Sequence, residues 1–201
     1  KLDYKEFQNF SFPSIFGIIG RFDPAKGFPF FINACKILKD KGYDFKVKIA
    51  GTPQKQYIAE YEKIQELIEK NDLSKQVELL GWISEKSEFY DNIDIFVLPS
   101  SYEPFGIVLL EAMMYSKPII SSLANGPKEI FENKNVALTF NVNDQEQLVE
   151  QMIKLINDKE LAKNLVKNGY QLVNSEYTLE NVADKLNTTI GEIINDKITK
   201  N

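Results

Sequence analysis

Asp94-Ile95-Phe96-Val97-Leu98, then Pro99-Ser100-Ser101-Tyr102-Glu103, then Pro104-Phe105-Gly106-Ile107-Val108-Leu109-Leu110-Glu111-Ala112-Met113-Met114-Tyr115: the fold is decided in this stretch. The first part is short and apolar, as a strand covered on both faces must be. The middle is turn chemistry. The last part has the length and composition of a helix, with Pro104 in its first turn, where a missing N–H costs nothing. A buried strand feeding a helix through a polar loop is the unit of a parallel sheet.

The same rhythm extends in both directions. Strands are expected over 14–20, 45–51, 77–80, 94–98, 118–121 and 136–140. Helices are expected over 28–39, 56–70, 104–115, 127–131, 144–156, 159–174 and 179–194, with a short helix opening at Ser84. Gly42 follows the first helix as a stop signal. The pattern predicts an α/β domain: a Rossmann-like parallel sheet of about six strands, helices on both faces, and C-terminal helices packed at the end. Residues 1–13 read as a connecting segment, and 14–201 as the domain. In such a sheet, ligands sit beyond the carboxyl ends of the strands, so functional residues are expected just after strands.

The 201 residues suit one domain, and a chain that opens on Lys1 is expected to be a piece of something longer. A hydrophobic content of 43% with 26% charged residues describes a globular chain. The net charge of -5 disfavours a nucleic-acid partner. A single cysteine, Cys35, and no histidine leave neither an internal disulfide nor a Cys/His zinc site, and remove histidine-based nucleophile chemistry from this segment. A reducing, cytoplasmic setting is the simpler expectation. No apolar run is long enough to span a bilayer.

Chemistry concentrates after two of the expected strands. Gly20-Arg21 ends the first, and Pro24-Ala25-Lys26-Gly27 leads into the next helix. An arginine fork and a mobile lysine in one glycine-bearing loop suit a diphosphate, and would stabilise negative charge as a phosphate ester bond breaks. The alternative is a solvated loop with ordinary charges. Neither a Gly-x-Gly-x-x-Gly fingerprint nor a P-loop is present. After the fourth strand, the free N–H groups of Phe105, Gly106 and Ile107 at a helix start form an anion or hydroxyl site. Glu111 is the one charge in an otherwise apolar helix, which reads as buried all round. Its carboxylate needs partners: either sugar or ribose hydroxyls, or a buried Lys or Arg. Glu103, at the mouth of that helix, either meets a sugar or simply suits the helix start.

These residues carry a resemblance. Pro99-Ser100, Glu103-Pro104-Phe105-Gly106 and Glu111-Ala112 resemble the Glu-x7-Glu motif of family-four (group 1) retaining glycosyltransferases, which have the GT-B fold. Gly20-Arg21-Phe22 with Lys26-Gly27, Ala50-Gly51, Gly81-Trp82-Ile83-Ser84 and Asn125-Gly126-Pro127-Lys128-Glu129-Ile130 are similar to further elements of that family, in the same order. The resemblance implies the C-terminal, donor-binding half of a two-domain enzyme. It implies that Arg21 and Lys26 bind the diphosphate of a nucleoside diphosphate sugar. Glu103 and the amides of Phe105 and Gly106 would hold the sugar, Glu111 the ribose, and the backbone around Trp82 and Ile83 the base, with Gly20, Gly51 and Ile107 as further donor-binding residues. Arg21, Lys26 and Glu103 would act catalytically, with no cofactor and no metal. The N-terminal domain, a glycan or lipid-linked acceptor and any peripheral attachment to the inner membrane face would belong to the missing half. Bacterial surface polysaccharide or lipopolysaccharide synthesis is the implied setting. A nucleotide-sugar epimerase of the same fold and a non-catalytic nucleotide-binding domain are the other readings. Asn125 departs from the family's Gly-Gly pair; a left-handed backbone, which asparagine tolerates, would preserve the turn.

Cys35 and the pair Met113 and Met114 read as core, and Trp82 as either a base-stacking or a packing residue. Asp91 and Asp94 bracket a strand start, and Lys197 and Lys200 mark a frayed tail.

Overall fold

The computed structural model describes residues 3–199. Lys1, Leu2, Lys200 and Asn201, from the ends of the expected segments, lie outside the described residues. The strands are β1 (Ser14–Ile19), β2 (Phe45–Ala50), β3 (Val77–Gly81), β4 (Ile95–Leu98), β5 (Ile119–Ser122) and β6 (Leu138–Phe140). The helices are α1 (Phe28–Asp40), α2 (Ile58–Lys70), α3 (Lys86–Tyr90), α4 (Ile107–Met114), α5 (Asn125–Phe131), α6 (Gln145–Asn157), α7 (Lys159–Glu176) and α8 (Leu179–Thr199).

All pairings are parallel, in the order β3-β2-β1-β4-β5-β6. The chain therefore works outward from β1 on one side, then crosses back to place β4 on the other. Between β1 and β4 the connections depart to opposite faces, and a crevice opens at their carboxyl ends. Side chains alternate across the sheet. Phe16, Ile18, Ile95 and Val97 enter the core under α1, α2 and α6, while Phe96 and Leu98 enter the core that also holds Leu109, Met113 and Leu172. Phe16 meets Phe31 and Phe45 edge-on at 6.5 and 6.3 Å. Truncating such a phenylalanine to alanine costs about 3–5 kcal/mol.

Local chemistry explains most boundaries. Asp144 caps α6 by accepting from Gln147 N at 3.0 Å, and Asp158 caps α7 by accepting from Leu161 N at 2.9 Å. α4 departs from its expected start. Pro104 lies in the loop, and the helix begins at Ile107 behind Gly106, whose φ of 97° is left-handed and cannot continue a helix. Nor is α4 buried all round: Leu109, Ala112 and Met113 are covered, whereas Ile107 is 64% exposed at the crevice. Asn125 opens α5 and is not among the residues with positive φ, so the turn does not rest on a left-handed asparagine.

Residues 3–13 carry no helix or strand but lie along the domain. Phe7 and Phe10 pack on the α1-side core, Lys5 pairs with Asp91 at 2.7 Å, and Ser11 donates to Asp94. Asp94 also accepts from Ile15 N at 2.8 Å, which pins the start of β1 to that of β4. α8 runs beyond residue 194, through Lys197. Among the described residues no helix is long and apolar enough to cross a membrane.

Candidate functional site

The loops after β1 and β4 are tied together before any side chain is considered. Ser101 N donates to Ala25 O at 2.8 Å. Gly27 has a φ of 73°, and a Cβ there would stand 2.2 Å from the carbonyl oxygen of Pro99, so only glycine lets the two loops touch. On the far side, Gly126 N donates to Glu103 O at 2.9 Å, and a Cβ on Gly126 would come within 2.4–2.6 Å of the Phe105 backbone. The start of α5 thus presses the 103–106 loop into place, which is the role of the glycine in the Asn125-Gly126 segment.

Within this frame Asp23 shapes the first loop. Its carboxylate accepts from Ala25 N at 2.9 Å and from the Tyr57 hydroxyl at 3.0 Å. The backbone N–H of Ala25 is the main reason its carboxyl is held below the usual range, against burial, with help from Tyr57, Arg21 and Lys26. The short turn Pro24–Lys26 then aims Lys26 across the crevice. Lys26 Nζ reaches Glu103 Oε2 at 2.6 Å, and both side chains are largely covered. Proximity of Lys26 to the far loop is therefore a property of the structure, and Glu103 is the anion it meets.

Two pockets adjoin at the carboxyl edge of the sheet. One, of about 330 Å³, is lined by Arg21, Lys26, Glu103, Phe105, Gly106 and Ile107 among others. The second, of about 260 Å³, is bounded by Arg21, Gly51, Gln54, Trp82, Ile83 and Lys86 among others. Ile19, Gly20 and Arg21 line both. The strand ends that floor the second pocket are stitched by Gly20 N to Ala50 O at 3.0 Å and Gly51 N to Gly81 O at 2.8 Å.

Of the residues singled out in the sequence, Gly20, Arg21, Lys26, Glu103, Phe105, Gly106 and Ile107 gather at the first pocket, and Gly51, Trp82 and Ile83 at the second. Trp82 is 77% exposed, a rim residue rather than a core one. Glu111 is not among the residues lining either pocket. Its Oε2 accepts from the Tyr90 hydroxyl at 3.1 Å and pairs with Lys86 Nζ at 3.2 Å. Lys86, Tyr90 and Asp23 did not emerge from the motifs. The four-residue spacing of Lys86 and Tyr90 on one short helix was the available signal for the first two. Cys35 is buried, and burial pushes its thiol well above the usual range. Among the described residues no group of three His, Cys, Asp or Glu side chains could hold a metal ion.

Sheet order, crevice and paired pockets define a Rossmann-like α/β domain of the kind found in GT-B glycosyltransferases. Residues 3–172 match the family described as glycosyl transferases group 1, and the chain belongs to that family. It is 36% identical over 157 residues to a glycosyltransferase of Methanocaldococcus jannaschii, covering 77% of this chain and 42% of that protein. It is 26% identical over 172 residues to the capsular polysaccharide biosynthesis glycosyltransferase CapM of Staphylococcus aureus, covering 86% of this chain and 44% of that one. The chain thus spans less than half the length of these curated relatives. Among solved structures, the C-terminal domain of the group 1 glycosyl transferase LpcC from Francisella tularensis superposes with a TM-score of 0.74 at 27% identity, over 83% of this chain and 87% of that one. Anabaena HepE, solved in complex with UDP and glucose, superposes with a TM-score of 0.80 at 20% identity, a likeness of fold, over 91% of this chain and 48% of that one. The counterpart of this domain is the C-terminal one.

Proposed function

We propose that this domain binds a nucleoside diphosphate sugar along the two joined pockets. The base rests against Trp82 and Ile83, and the ribose hydroxyls reach Glu111. The diphosphate lies at Gly20, Arg21 and Lys26, and the sugar sits under Glu103 and the amides of Phe105, Gly106 and Ile107. The observation that carries this reading is the shared wall: Arg21 lines both pockets, so a molecule filling them passes this residue. An acidic chain that places Arg21, Lys26 and Lys86 around a single crevice has focused positive charge where a diphosphate would need it.

In the longer enzyme the domain serves retaining transfer of a hexosyl group to a glycan or lipid-linked acceptor, in capsular or lipopolysaccharide synthesis. The relatives named for capsular and lipopolysaccharide core synthesis support this setting. Glu103 favours positive charge developing at the anomeric carbon, while Arg21 and Lys26 favour the departing diphosphate. An acceptor domain completes the cleft from the other side, so residues 1–201 alone bind donor but transfer sugar poorly.

Calorimetric titration with UDP, GDP and ADP, in the presence and absence of EDTA, tests the reading. One of them binds, and Arg21→Ala weakens it by about 1.5–3 kcal/mol, the scale of a charged hydrogen bond. Unchanged affinity in Arg21→Ala removes the diphosphate from this place.

A further inference from the structure

Two side chains from one short helix converge on one oxygen of Glu111. Lys86 and Tyr90 are separated by one turn of α3, which places them on the same face, and that face meets α4 at the carboxylate. Their holds on it differ. Tyr90 is fully buried, stacked on Tyr115 at 4.8 Å with an interplanar angle of 14° and edge-on to Phe89 at 5.1 Å. Its ring cannot turn away. Burial first, and the Glu111 charge second, push its hydroxyl well above the usual range, so it remains a protonated donor. Its oxygen also lies 3.2 Å from Val108 O, but a single hydroxyl proton favours the charged acceptor. Lys86 is nearly half exposed and lines the Trp82 pocket, so its pairing is readily exchanged with solvent or a ligand.

We infer that Tyr90 is a positioning residue for Glu111, and that Lys86 supports it: together they occupy Oε2, so that Oε1 is the oxygen presented to a ribose hydroxyl. This rests on the reading above in which Glu111 meets the ribose. A carboxylate free to rotate would offer either oxygen and lose orientation on binding. One held by a buried phenol offers a fixed acceptor, and the selectivity between ribose and deoxyribose depends on that fixation.

The test compares the best-binding member of UDP, GDP and ADP with its dideoxyribose analogue, by calorimetry, on wild type, Tyr90→Phe, Lys86→Met, Glu111→Gln and the Tyr90→Phe/Glu111→Gln double variant. Wild type prefers the ribonucleotide by about ten-fold or more, the scale of a hydrogen bond to a charged group. Tyr90→Phe keeps the wild-type affinity for the dideoxy analogue, which shows an intact pocket, yet loses most of the preference. Lys86→Met loses a smaller share. Glu111→Gln abolishes the preference, and Tyr90→Phe adds nothing in the double variant. Preference lost in Glu111→Gln but retained in full by Tyr90→Phe overturns the positioning role and leaves the ribose reading intact. No preference in wild type overturns both.

Discussion

Lys26 Nζ lies 2.6 Å from Glu103 Oε2, a contact between residues from the loops after β1 and β4. Both charges are largely withdrawn from water, so neither is indifferent to losing the other. In the proposed complex the ammonium has two anions to choose from. A diphosphate at Arg21 competes with Glu103 for Lys26, and the carboxylate also repels it. Glu103→Gln therefore strengthens binding of the free nucleoside diphosphate by about three- to ten-fold, as one repulsive contact is removed. The same variant loses sugar transfer in the complete enzyme. Calorimetry showing weaker diphosphate binding in Glu103→Gln would refute the competition.

Two glycines in this region separate folding from binding. A Cβ on Gly126 would collide with backbone atoms of Phe105, which cannot swing aside. Gly126→Ala displaces the 103–106 loop and costs about 1–3 kcal/mol by the measure of overpacking, visible as a lowered midpoint in urea. A Cβ on Gly20 meets nothing within 4 Å. Gly20→Ala therefore unfolds like wild type. Any loss of nucleotide affinity in that variant reports a ligand lying against the backbone there. A urea midpoint unchanged in Gly126→Ala, or lowered in Gly20→Ala, contradicts this account.

Trp82 is the sole tryptophan and is 77% exposed beside Ile83. Its fluorescence is therefore a reporter of the second pocket alone. Addition of the cognate nucleoside diphosphate quenches it with the same dissociation constant that calorimetry gives. Trp82→Ala alters stability by no more than about 0.5 kcal/mol, since little surface is withdrawn from water there. Calorimetric binding without any change in emission would place the base elsewhere.

Two deeply buried groups contribute to the alkaline limb of stability. Cys35 ordinarily titrates near 9.0 and Tyr90 near 10.0, and burial raises both in the folded protein. Above those ordinary values the unfolded chain has released protons that the folded one retains, so unfolding gains from each rise in pH. Their contribution is complete below about pH 9 and falls progressively above it. Tyr90→Phe flattens the later part of that decline in urea titrations. The protonated, covered Cys35 thiol resists alkylation in native buffer and reacts only through unfolding. Alkylation at the rate of a free thiol in native buffer would show that the site is open.

Much of this molecule is written in its sequence. Short apolar runs separated by amphipathic stretches specify the six-stranded parallel sheet, and with it the rule that chemistry follows strands. Arg21, Lys26 and Glu103 were legible as charges placed just after apolar strands, where ligands of a parallel sheet sit. The start of α4 was misplaced because Pro104 suits a first turn, whereas Gly106, two residues on, holds a left-handed backbone no helix can include. Glu111 was legible as a charge needing partners, but not which ones. Lys86 and Tyr90 reach it across a helix interface, and spacing along one helix does not say what stands opposite. Asp23 was invisible for a similar reason: an aspartate before proline is ordinary, and only the position of Tyr57 shows what it holds.

The central place of β1 has a further consequence. It is hydrogen-bonded to β2 on one side and β4 on the other, and Ile19, Gly20 and Arg21 at its carboxyl end line both pockets. The Trp82 pocket is walled by segments that follow β1, β2 and β3, whereas the Lys26 and Glu103 pocket is closed by the segment that follows β4, so the crevice running through both draws on early and late chain alike. Whatever settles there staples early chain to late chain, so protection from hydrogen exchange on binding should extend through both flanks of the sheet instead of stopping at the residues touched.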